Sequence, residues 1–208
     1  MEFRTPVKID TPSFEIQPLE EMLFVGSCFA DNIGQRFVEE RFRATVNPYG
    51  TMYNPASVLH TIERYCSERE KIREKEVSGT VTDSPHRLVI FITLGTNHVY
   101  ILKETGEIVD NCQKRPQRLF REEELSVDEC VDYLSQVVDR LQAFCPEVHI
   151  VFTVSPIRYQ KYGFHESQLS KATLQLAVDK LIRGSRTASL SSHLSALTSQ
   201  LAQLFPGL

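Results

Sequence analysis

A hydroxyl and a thiol stand side by side at Ser27 and Cys28, in a setting that could make either of them reactive. The apolar run Met22-Leu23-Phe24-Val25 stops at Gly26, after which Phe29, Ile33 and Phe37 recur at helical spacing. That order predicts a strand, a tight turn and a helix, with both side chains at the turn. Ligands of open α/β sheets sit beyond the carboxyl ends of the strands. A nucleophile at such a turn also feels the unpaired amides and positive end of the following helix. Ser27 is therefore a candidate nucleophile. Cys28 is a candidate for thiolate chemistry, because a thiol at a helix start can have a lowered pKa. Each residue also has a structural role open to it. Ser27 can cap the helix by accepting from the amide of Phe29 or Ala30, without a capping box because the third residue on is Ala30. Cys28 can be a small buried apolar group.

A serine hydroxyl needs a base to take its proton, and the chain has six histidines. His98 directly follows the strongest predicted strand, and His165 lies near another predicted strand end at Ser155-Pro156. His60, His149 and His193 read as helix-surface, strand-start and tail residues. Asp83-Ser84-Pro85-His86 has the spacing of a base with its orienting carboxylate, a spacing that chance also supplies.

The chain that must hold these groups has 208 residues, 41% hydrophobic and 24% charged, which suits one globular domain with a real core. A formal net charge of −4 and a pI near 5.9 give no basic footprint for nucleic acid. Five cysteines, an odd number without metal-ligand spacing, read as reduced intracellular thiols. The start, Met1-Glu2-Phe3-Arg4-Thr5-Pro6, has no apolar signal core, and no apolar run reaches membrane length. The expectation is a soluble cytoplasmic protein without metal, cofactor, nucleic-acid or membrane partner.

Prolines 6, 12 and 18 make residues 1–20 an extended arm. A strand over 22–25 and a helix over 28–41 follow, then a strand at Ala44-Thr45-Val46. Asn54 as N-cap with Pro55 at the first helical position opens a second helix. Its apolar stripe is Val58, Leu59, Ile62, Tyr65 and Cys66, and its charged end at 67–76 passes into a loop. Leu88 to Leu94 is apolar on both faces, hence a central strand. Val99–Leu102 and Ile108–Val109 read as a hairpin. Ser126 with Glu129 is a capping box for a helix through Phe144. Val148 to Val154 is another buried strand, and a last helix spans 166–183. Strands alternating with helices favour a doubly wound, largely parallel sheet. Three strand ends, at Gly26-Ser27, Gly95-Thr96-Asn97 and Ser155-Pro156, would share one edge. Residues 184–208 stand apart, because from Thr187 onward no Asp, Glu, Lys or Arg occurs. Leu190, Leu194, Leu197, Leu201 and Leu204 would give a helix there a leucine seam, for self-association or for packing on the sheet. The same shift in composition also fits a C-terminus not original to the fold.

Gly26-Ser27-Cys28-Phe29-Ala30 spells the signature of the GSCFA family, and the resemblance extends over about residues 1–183. Asn47-Pro48-Tyr49-Gly50 with Tyr53-Asn54-Pro55 resembles that family's second block. Thr93-Leu94-Gly95-Thr96 with Val99-Tyr100 and Lys103 to Val109 resembles the third. Thr153 to Arg158 with Gln168-Leu169-Ser170-Lys171-Ala172 resembles the fourth. The family is similar to the SGNH hydrolases, related to GDSL esterases. The resemblance implies a three-layer α/β/α sandwich with a mainly parallel sheet, incomplete at its C-terminal end. It implies ester hydrolysis by Ser27 on a small acyl or carbohydrate ester. Gly50 and Asn97 would serve as oxyanion donors beside the nucleophile's own amide, with Gly95 and Asn54 also on the substrate side. Three convergent donors suit an attacked carbonyl, since losing one such donor typically costs about 10²–10³ in rate.

Several positions depart from the pattern. Small and aromatic residues usually stand where Asn97 and His98 do, so the role of Asn97 comes from the wider superfamily. Tyr159 replaces the usual His and Tyr162 the usual Asp, and the stretch before the central strand is short. The Asp-x-x-His block that brings the base is not found after residue 183, and Asp83–His86 falls in the wrong order to replace it. His165, within a matched block, becomes the preferred base and His98 the second. The alternative expectation is an inactive or truncated relative that serves as a binding module.

Overall fold

Period-two alternation along the central strands divides their side chains between two cores. The computed structural model describes residues 14–76, 87–110, 112, 115–187 and 194–196. In chain order the elements are β1 (Glu21–Gly26), α1 (Cys28–Glu39), β2 (Arg43–Val46), α2 (Pro55–Glu76), β3 (Leu88–Leu94), β4 (His98–Leu102), β5 (Ile108–Val109), β6 (Phe120–Glu124), α3 (Val127–Phe144), β7 (Val148–Val154), α4 (Gly163–Thr187) and β8 (Leu194–Ala196). Single 3-10 turns lie at Gln117–Leu119 and Gln160–Tyr162. The main sheet runs β2-β1-β3-β7-β8 with every neighbouring pair parallel.

On one face of it Met22, Phe24 and Val89 pack with Ala30 and Ile33 of α1, and Phe37, Phe42 and Phe91 close around them. The rings of Phe24 and Phe91 stack with centroids 4.8 Å apart. On the other face Leu23, Val25, Ile90, Ile92, Ile150 and Phe152 meet α2, α3 and α4 through Ile62, Leu134, Leu141, Leu174 and Val178. Full burial of each large side chain is worth about 1.5–3 kcal/mol. The result is the expected α/β/α sandwich.

Local signals set most boundaries. Asn54 Oδ1 accepts from the Ser57 amide at 2.9 Å and starts α2. The box at α3 forms in both directions, Glu129 N to Ser126 Oγ at 3.2 Å and Ser126 N to Glu129 Oε2 at 2.8 Å. Three outcomes differ from the reading of the sequence. The charged run 67–76 stays helical, with an Arg64–Glu68 pair along the helix and a two-pronged Arg140–Glu70 pair joining it to α3. Strand β6, Phe-Arg-Glu-Glu-Glu, is too charged to read as a strand. Antiparallel pairing with β4 makes it one, in a small second sheet β5-β4-β6. Leu194–Ala196 is a strand beside Ile150–Phe152 rather than part of a leucine-seam helix, and it supplies backbone partners to that side of β7. The other seam leucines and the expected self-association lie outside the described residues. Among the described residues no helix is long and apolar enough to cross a membrane.

Candidate active site

Gly26 is where the first strand must turn, and the residue type follows from two constraints. Its φ is +136°, and a Cβ there would come 2.2 Å from the Thr93 carbonyl oxygen of β3. Both of its backbone groups are tied down: the amide donates to Asn47 Oδ1 at 2.9 Å and the carbonyl accepts from Met52 N at 3.0 Å. Ser27 follows in extended geometry, donates its amide to Thr93 O at 3.0 Å, and caps α1 by accepting from Phe29 N at 3.4 Å. Thus the capping role is met, and it leaves the hydroxyl on the wall of a cavity.

That cavity has a volume of about 380 Å³. Its floor is the carboxyl edge of the main sheet, with Ser27, Gly95, Thr96 and Ser155 from three strand ends. Tyr53 and Asn54, at the start of α2, form one side, and His98, Tyr100 and Val109 of the small sheet form the other. The segment after β7 closes over it with Ile157, Arg158, Tyr159 and Tyr162. Exposed Cys28 reaches the rim, and Lys171 enters from α4.

The residues expected at the site divide accordingly. Ser27, Gly95 and Asn54 line the cavity; Gly50, Asn97 and His165 do not. The amide of Gly50 closes a turn onto Asn47 O at 2.9 Å. Asn97 is buried, its Nδ2 donates to Leu125 O at 2.7 Å, and its Oδ1 has no partner among the described residues. His165 sits exposed on the first turn of α4. The buried Leu174 lies nine residues on, about two and a half turns, so His165 faces away from that side. Asn54 spends its oxygen on the cap, and its amide group makes no hydrogen bond among the described residues. The Gly95 amide is taken by Tyr53 O at 2.7 Å, and a Cβ on Gly95 would strike the Tyr53 ring at 2.8 Å.

The histidine that does line the cavity is built into a wall. His98 stacks on Tyr162 with ring centroids 3.9 Å apart, and its Nδ1 lies 3.3 Å from Glu122 Oε1 without hydrogen-bond geometry. Glu122 also accepts from Tyr162 Oη at 2.6 Å and Lys161 Nζ at 2.6 Å. Burial raises the Glu122 carboxyl, but these bonds outweigh it and hold the pKa below the usual range. The same burial and hydrogen bonding push the Tyr162 phenol up.

Lys171 is the residue that sequence reasoning passed over. Half-buried, it donates Nζ to the Gly95 carbonyl, and burial without a carboxylate partner lowers its pKa to about 8. No sequence signal pointed to it: Lys171 shares a face with buried Ser167, Ser170 and Leu174, whereas Leu169 and Leu176 of the same helix are exposed.

Fold and cavity together define an α/β protein with Ser27, Cys28 and Lys171 lining a cavity at the carboxyl edge of a parallel sheet. The sequence model of the GSCFA family matches residues 21–83 and 72–190, and the chain belongs to that family. Comparison with curated proteins yields no match.

Proposed function

We propose that this protein is an SGNH-type hydrolase that cleaves small acyl esters, carbohydrate esters included, through an acyl intermediate on Ser27. The observation that carries the reading is the placement of Ser27, at a hydrogen-bonded strand-to-helix turn on the wall of a cavity. Attack by Oγ forms the new acyl bond, expulsion of the alcohol breaks the old one, and water then releases the acid and restores the hydroxyl. The Asn54 amide group and the backbone amide of Cys28, both residues of the cavity lining, are the donors left to the developing oxyanion. They take the place of Gly50, Asn97 and the Ser27 amide, whose donors are committed to Asn47, Leu125 and Thr93. All five cysteines are free thiols, which favours a reducing, cytoplasmic setting.

A fluorophosphonate probe tests this directly. Labelling at Ser27, with turnover of short acyl esters and loss of both in Ser27→Ala, is the expected result. Folded protein that neither labels nor turns over these esters overturns it. That outcome supports the second reading, a binding module. This alternative is favoured by the 2% exposure of Ser27 and by the Tyr159–Tyr162 ring pair on the wall.

A further inference from the structure

Among the described histidines, His98 lines the cavity but is stacked on Tyr162, and His165 lies exposed outside it. The cavity holds a second nitrogen base, Lys171. Lys171 projects from α4, which is docked on the end of β3: Asn97 N donates to Ser170 Oγ at 3.1 Å, and the Ser170 and Thr96 hydroxyls are 3.2 Å apart. Its Nζ donates to the carbonyl of Gly95, two residues beyond the Thr93 that holds the Ser27 amide. Lys161 and Lys180 pair with Glu122 and Asp128, which keeps them protonated. Lys171 has no such carboxylate among the described residues. The other titratable or charged groups lining the cavity are Cys28, His98, Asp110, Arg158 and four tyrosines. None of them forms an ion pair with Nζ.

From this geometry we infer that Lys171 is the general base for Ser27, an assignment that rests on the ester-hydrolase reading above. A neutral amine has two N–H groups and one lone pair. The Gly95 carbonyl takes one N–H, and the lone pair remains for a proton. As Oγ bonds to the acyl carbon, its proton passes to Nζ. When the ester C–O bond breaks, the departing alkoxide takes that proton from Nζ. Water then attacks the acyl-serine and gives a proton to Nζ, and the Ser27 oxygen recovers it as the acid leaves. Burial favours the neutral amine that this cycle needs, by lowering the pKa to about 8.

The test is the rate of Ser27 phosphonylation and of short-ester hydrolysis across pH 6 to 10, for wild type, Lys171→Met, Lys171→Arg, His165→Ala and the exposed control Lys180→Met. The wild-type rate should rise with pH and level off above about 8, as Lys171 loses its proton. Both Lys171 variants should lose about 10²–10⁴-fold together with that pH limb, and Lys180→Met should match wild type. Thermal unfolding checks that Lys171→Met is folded; should it not fold, Lys171→Arg and the wild-type profile decide. Wild type that labels, with a Lys171 variant reacting at an undiminished rate, overturns the base assignment alone. So does a fall in rate confined to His165→Ala. Wild type that never labels removes the hydrolase reading, and the assignment with it.

Discussion

Gly26, Asn47 and Ser27 form the smallest unit on which the site depends. Gly26 must be glycine for its positive φ and for the closeness of the Thr93 carbonyl, and Asn47 holds the Gly26 amide. Gly26→Ala should therefore cost at least about 2 kcal/mol in denaturant unfolding, from backbone strain plus overlap with a neighbouring strand. A neutral result would show that the turn is looser than this geometry requires. Ser27 and Gly26 were legible as a pair because a strand, a glycine and a helix start are all local patterns. Lys171 was not, because a helix lysine reads as solvated until the helix is docked. His165 was misleading for the same reason: closeness in sequence to a strand end says nothing about the face of the helix it occupies.

Elements carry the next level of argument, and the pair α2–α3 shows how charge joins them. Arg140 places two N–H groups on Glu70 at 2.9 and 2.7 Å. The hydrogen bond from Arg140 holds the Glu70 carboxyl below its ordinary pKa. A depressed carboxylate stabilises fully above the unfolded value of about 4.3, and the contribution is lost as pH falls through the lower folded value. Glu70 is 40% exposed, so solvent screening limits the pair to about 0.5–1 kcal/mol. Arg140→Met should cost that amount at pH 7 and close to nothing near pH 2. A cost that does not change with pH would assign the effect to lost packing of the arginine stem instead. At this scale the sequence was a good guide wherever caps and periodicity agreed, as at Ser126 and Asn54. It failed at β6, where the pairing partner β4, not the composition, makes the strand.

For the whole molecule, the thiols report on cooperativity. Cys66 and Cys130 lie fully buried in the larger core, where burial pushes both up to about 12, while Cys28 is exposed at the cavity rim. Under native conditions a thiol reagent should modify Cys28 at once. Cys66 and Cys130 should react only at the rate of global unfolding and together, because both belong to one core. Labelling of Cys66 well before Cys130 would mean that α2 detaches independently of α3.

The order of the helices and of the strands other than β6 and β8, the two-faced character of the central strands, the caps and the glycine turn under Ser27 were determined by the sequence itself. Each rests on neighbours within a few residues, where sterics and hydrogen bonding act without knowledge of the fold. Which side chains meet was decided only by tertiary structure. The phase of α4 brings Lys171 to a carbonyl 76 positions away and turns His165 outward. The small antiparallel sheet seats His98 against Tyr162. Such encounters depend on docking angles between elements distant in the chain, and no local pattern encodes them.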